Sequence, residues 1–153
     1  MPLSDFLKGG AAKKVLRQQL VPGRVIHCPI MFGNPRAAKD KFSIYIGSRD
    51  DDWIVFVINS QPAPYILSRP DLLAHQVAID PADGHDFLKY TSVVDCSKIH
   101  ALHPGAAEKH LLANLGDVKC CISAGVRGRI VTLISSSKLY LPFDRNWIIG
   151  QLS

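Results

Sequence analysis

Phe42-Ser-Ile-Tyr-Ile-Gly47 and Trp53-Ile-Val-Phe-Val-Ile-Asn59, separated by Ser48-Arg49-Asp50-Asp51-Asp52, decide the fold class. Both runs are rich in β-branched and aromatic residues and the connection between them is polar, so together they describe a β-hairpin. The three aspartates read as its solvated tip, because consecutive strand residues cannot all point at one cation. Working outward, Pro22-Gly23 marks a turn before a strand that starts at Arg24 and ends near Pro29. Gln76–Asp80, Thr91–Cys96 and Lys98–Leu102 add further short strands, with Pro81 and Gly84 punctuating the first interval. Five or six short strands predict a small, mainly β barrel spanning residues 24–102. Ile26, Ile44, Val55, Val57 and Val93 are expected on its one buried face, and the large aromatics Phe42, Tyr45, Trp53 and Phe56 are expected to pack its core.

The connections are legible in the same way. Phe32–Lys41 holds turn residues and three cations, which predicts an exposed, mobile loop. After Pro104, the spacing of Ala106, Ala107, Leu111, Leu112 and Leu115 predicts a helix ending near Gly116. Ile122, Val126, Ile130, Leu133 and Ile134 predict a C-terminal helical segment within Val118–Leu141, despite Gly125 and Gly128. At the other end, Ser4 can cap a short turn through Leu7. Ala11–Leu20 reads as an amphipathic basic helix packed on the domain edge, with Lys13, Lys14 and Arg17 solvated. The expected organisation is a basic helical extension over 1–20 and one domain over 21–153.

The composition agrees with one globular core: 153 residues, 47% hydrophobic and 20% charged. Cations exceed anions by five, and the excess is concentrated at the front, where residues 1–49 carry nine cations against Asp5 and Asp40. Such a distribution favours an anionic partner. The longest uncharged run, Trp53–Ser68, is broken by Asn59, Gln61, Pro62 and Pro64, so no membrane span is expected. The first twenty residues lack the apolar region of an export signal, and Cys28, Cys96, Cys120 and Cys121 lack a disulfide-like spacing. A cytoplasmic chain with reduced thiols is the expectation.

Several strings resemble the MazF/PemK (Kid-like) family of toxin endoribonucleases from bacterial toxin–antitoxin systems. Pro22-Gly-Arg-Val-Ile26 is similar to its opening strand, Lys41-Phe-Ser-Ile-Tyr-Ile46 to the strand that usually begins Arg-Pro, and Trp53–Ser60 to its third strand. His75-Gln-Val-Ala-Ile-Asp80 followed by Leu88-Lys-Tyr-Thr-Ser-Val-Val-Asp-Cys-Ser-Lys-Ile99 carries the most specific likeness. The resemblance covers about residues 21–115. It implies a small SH3-like barrel of the MazF/PemK/CcdB type with a C-terminal helix, a homodimer, and metal-independent cleavage of single-stranded RNA. A small acidic antitoxin protein is the implied partner, and no cofactor or metal is called for.

Cleavage of this kind uses the RNA 2′-OH as nucleophile and needs a base, an acid and a cation for phosphoryl charge. The family's usual arginine falls on Lys41, and its strand-ending threonine or serine falls on Asn59, with Ser60 adjacent. Ser60 serves only if a bulge re-aims it. His27 or His75 is a candidate general base. Asp95 and Ser97 stand where one branch has an arginine and an acidic residue, so that pair is absent. Arg24, Arg36, Lys39 and Lys41 form the expected RNA-binding face. The alternative is a non-catalytic barrel that binds nucleic acid or a protein. A metal site from Cys96, His100 and His103 can be drawn by period two, but it lacks a fourth ligand.

Overall fold

A computed structural model describes residues 10–33 and 35–153; the turn expected at Ser4–Leu7 lies outside them. The chain is mixed α/β. Six strands, β1 (Arg24–Phe32), β2 (Ala37–Arg49), β3 (Asp52–Asn59), β4 (Gln76–Ile79), β5 (Ser92–Leu102) and β6 (Val118–Cys121), form one sheet in the order β4-β5-β3-β2-β1-β6. Every pairing is antiparallel. Helix α1 (Gly10–Gln19) precedes the sheet, and two one-turn helices, α2 (Pro64–Leu67) and α3 (Pro70–Leu73), link β3 to β4. Helices α4 (Pro104–Ala113), α5 (Ala124–Ser135) and α6 (Pro142–Leu152) follow β5 and β6.

The expected closed barrel is not formed, because β4 and β6 remain as unjoined edges. The sheet is nevertheless curled. The Phe32 ring of β1 meets the His100 ring of β5 edge-on at 5.6 Å, although two strands separate β1 from β5 in the sheet.

Burial on one face, expected from alternation, is also corrected. β3 is buried along six consecutive residues, Trp53–Ile58, the pattern of a strand covered on both sides. On one face Val25, Ile44, Ile46, Ile54, Phe56 and Val94 pack with Val126, Ile130 and Ile134 of α5 and Ile148 and Leu152 of α6. On the other, Ile26, Cys28, Tyr45, Trp53, Val55 and Val57 pack with Leu16 of α1 and Ala107 and Leu111 of α4. Ile26, Val55 and Val57 therefore lie on the face opposite Ile44, and Val93 is only half-buried. In α1 the apolar contacts come from Ala12 and Leu16, while Lys13, Lys14 and Arg17 stay exposed as the amphipathic pattern predicts.

Two connections differ from expectation. Residues 37–41 are not a mobile loop: they begin β2 and pair with β1 down to Phe32–Ala37. Their alanines and charges carry little β-propensity, so the ladder with β1 decides their conformation. Pro29 is accommodated because β6 pairs only the first residues of β1, leaving β1 as an edge where a missing N–H costs nothing. Val118–Leu141 is not one helix. Val118–Cys121 pairs with β1 as β6, and Ser123 then starts α5 by accepting a hydrogen bond from Val126 N at 3.2 Å.

The β2–β3 turn is made by Asp50 and Asp51 at φ 52° and 66°, the left-handed pair of a type I′ hairpin, which aspartate tolerates. Beyond it, Arg49 donates to Asp144 at 2.8 Å and lies over the Trp147 ring, fastening β2 to α6.

Candidate functional site

Register places the chemistry. Lys41 pairs with Cys28 and Phe42 with His27, and adjacent strand residues face opposite sides. Lys41 therefore shares the α1/α4 face of the sheet with Cys28, Val55 and Val57. Asn59, two residues beyond Val57, lies on the same face at the end of β3. Lys41 Nζ donates to Asn59 Oδ1 at 2.9 Å, so these two candidates meet.

They line a cleft of about 250 Å³ together with Val57 at its floor, Asp95 and His100 of β5, and Phe32, Lys39, Tyr65 and Lys98 toward its rim. Asp95 and His100 are five positions apart, an odd offset, and should face opposite sides of a regular strand. They do not, because β5 is irregular between them: Asp95 pairs with Val57 and His100 with Val55, so five steps along β5 match two along β3. The surplus bends the strand and turns both side chains to one side. The same irregularity separates Cys96, buried among the α5/α6 side chains, from His100 in the cleft. The drawn Cys96/His100/His103 cluster is not assembled, and among the described residues no three His, Cys, Asp or Glu side chains form a group that could hold a metal ion.

Burial sets the electrostatics. Desolvation lowers the Lys41 pKa below the ordinary lysine value, and the neighbouring Lys39 charge adds to the shift. Desolvation also lowers the His100 pKa, as does Lys98, while Asp95 acts against the shift. The His100 ring is thus held in its neutral form, able to accept a proton. Lys98 Nζ sits 5.9 Å from the Tyr65 ring centroid at the rim. Asp95 is 3% exposed. Its Oδ1 accepts from Gln76 Nε2 at 2.9 Å, from Ser97 N at 3.0 Å and from the Ser97 hydroxyl.

The other expected residues lie elsewhere. Ser60 follows Asn59 without a bulge, since Ile58 and Asn59 pair regularly with Val94 and Val93. It lines a separate cavity with Phe42, Phe87 and Tyr90. His27 lies on the α5/α6 side, its ring 4.5 Å from Phe42 and its Nδ1 3.7 Å from Asp117, which also bonds His110. His75 is buried, its Nε2 2.6 Å from Ser137 Oγ and its Nδ1 2.7 Å from Asp71 O. Arg24 is a brace rather than a free cation, donating from Nε to Gln19 O at 2.9 Å and from Nη1 to Lys119 O at 3.1 Å. Arg36 is exposed and lines a neighbouring cavity of about 620 Å³ that shares His100 with the cleft.

The sequence offered His100 only for a metal site and Asp95 only as a departure from one branch's pair; the irregularity of β5 is what brings both into this cleft. Comparison with protein-family models, with curated proteins and with solved structures gives no match to this chain. Among the described residues, no helix is long and apolar enough to cross a membrane.

Proposed function

We propose that the cleft binds single-stranded RNA and cleaves it without a metal, in the manner of the MazF/PemK-like toxins that the sequence resembles. The observation carrying this reading is the Lys41–Asn59 hydrogen bond in a cleft that also holds a desolvated, neutral His100. The two positions taken from the resemblance meet there, and a proton acceptor lies across the cleft from them.

His100 accepts the proton of the 2′-OH as the 2′-oxygen forms its bond to phosphorus. The Lys41 ammonium stabilises the charge growing on the phosphoryl oxygens and supplies a proton to the departing 5′-oxygen, a transfer its lowered pKa favours. Asn59 holds the ammonium in place through its Oδ1. The P–O5′ bond breaks, leaving a 2′,3′-cyclic phosphate and a free 5′-hydroxyl. A second copy of the chain and a small acidic antitoxin belong to the same reading.

The test is incubation of the purified protein with an unstructured RNA in EDTA, followed by analysis of the product ends. Cleavage with cyclic-phosphate ends, lost in His100→Ala and Lys41→Ala, is the expected result. Binding without cleavage would leave the non-catalytic reading. Absence of both would refute the proposal.

A further inference from the structure

The cations of the cleft stand at its rim and on one wall, as Lys39, Lys98 and Lys41, while its most deeply buried charge is the Asp95 carboxylate. A phosphate is drawn to the lysines and repelled by the carboxylate, so a nucleotide bound here presents its base, not its phosphate, to Asp95. Three donors hold Asp95 Oδ1, and the hydrogen bonds that Asp95 accepts from the described residues all fall on that oxygen. Asp95 lines the cleft, and with Oδ1 already held by these donors its second oxygen keeps acceptor capacity for a group bound there.

We propose that Asp95 reads the base of the bound RNA through Oδ2 and favours guanine over uracil, an inference that rests on the RNA-binding reading above. Guanine offers two adjacent donors, N1–H and the N2 amine, to a carboxylate. Uracil offers a single N3–H flanked by two carbonyl oxygens, which the carboxylate repels. Adenine and cytosine, each with one amine beside a ring acceptor, fall between. The Phe32 and Tyr65 rings at the rim can stack on any base and supply affinity without preference. The volume of about 250 Å³ suits one unpaired base rather than a duplex.

The substitution Asp95→Asn tests the idea with little change of shape. The three donors require an oxygen at the Oδ1 position, so the new amide nitrogen stands where Oδ2 stood and an acceptor becomes a donor. Hexamers of 2′-fluoro uridine, which cannot be cleaved, are compared by fluorescence anisotropy with the same hexamer carrying one central guanine. The wild-type protein should bind the guanine hexamer roughly ten-fold more tightly. Asp95→Asn should abolish or reverse the preference, while binding all-uridine RNA as well or better and melting near the wild-type temperature. A hexamer with inosine in place of guanine lacks only the N2 amine and should bind the wild-type protein more weakly, which keeps the test valid if the variant is unstable. Equal affinity for guanine and uracil hexamers, with binding still lost in Lys41→Ala, would overturn base reading and leave RNA binding intact. A guanine preference that survives Asp95→Asn would overturn it as well. No binding of any hexamer would remove both readings together.

Discussion

The RNA binding proposed above is tested by its salt dependence, which reports where the strand would lie. Lys39, Lys41 and Lys98 all border the cleft, and a strand whose phosphates meet all three releases counterions in proportion. For single strands, the logarithm of the association constant falls with the logarithm of salt concentration by about 0.7 per phosphate neutralised, giving a slope of about −2 here. Raising salt from about 50 to about 200 mM should then weaken binding roughly 20-fold. Removing one contact, in Lys41→Gln or Lys39→Gln, should reduce the slope to about −1.4 and the loss to roughly seven-fold. Arg24→Gln is the control. Its guanidinium joins Gln19 O to Lys119 O on separate segments and is not part of the cleft, so its slope should stay at the wild-type value. Its stability should fall by about 1–2 kcal/mol, the worth of charge-assisted hydrogen bonds to carbonyls. Anisotropy titrations of a labelled uncleavable oligomer at four salt concentrations, with urea denaturation alongside, supply both quantities. If Arg24→Gln lowers the slope while Lys39→Gln and Lys41→Gln leave it unchanged, the strand runs elsewhere and the cleft argument is wrong.

Other outcomes follow from burial. Phe56 is fully buried between the sheet and the α5/α6 pair, and Phe56→Ala should cost about 3–5 kcal/mol in urea denaturation. Burial and the nearby charge of Asp117 raise the Cys28 pKa to about 11, and Cys96 is pushed well above the ordinary thiol value. Cys28 and Cys96 are buried whereas Cys120 and Cys121 are partly exposed, so a thiol reagent should reach Cys120 and Cys121 in the native protein and all four cysteines only in denaturant. The folded-state pKa of His100 lies below the unfolded value of 6.5, so the unfolded chain takes up that proton first as pH falls. Native stability should decline below about pH 6.5 through this group, and His100→Gln should flatten that part of the stability profile.

The hairpin at the centre of the sheet was readable because Phe42–Gly47 and Trp53–Asn59 carry strong β-propensity and a turn sequence between them. The continuous apolar run of β3 was also a signal for burial on both faces, but alternation drew attention to one. The start of β2 escaped detection because Ala37–Lys41 becomes a strand only through its partner β1, information that local composition does not contain. β6 escaped for a related reason: Ile122, Val126 and Ile130 have helical spacing, and the strand just before them borrows its identity from its pairing with β1. At the site, Lys41 and Asn59 were found through the resemblance. That His100 and Asp95 join them in one cleft was not legible, because the irregularity of β5 is a property of its pairing with β3 and leaves no mark in the spacing of residues.

That irregularity makes the cleft depend on a question of odd and even. The stretch between Asp95 and His100 sets whether the imidazole looks into the cleft or toward α5 and α6, whatever residue types fill it. Inserting or deleting one residue there would leave every cleft side chain present in the sequence and redirect one of them through the sheet. Chains of this architecture can thus gain or lose a proton acceptor by a change of length alone. A comparison that matches residues column by column would record all the parts as retained, yet the histidine would be on the wrong side of the wall.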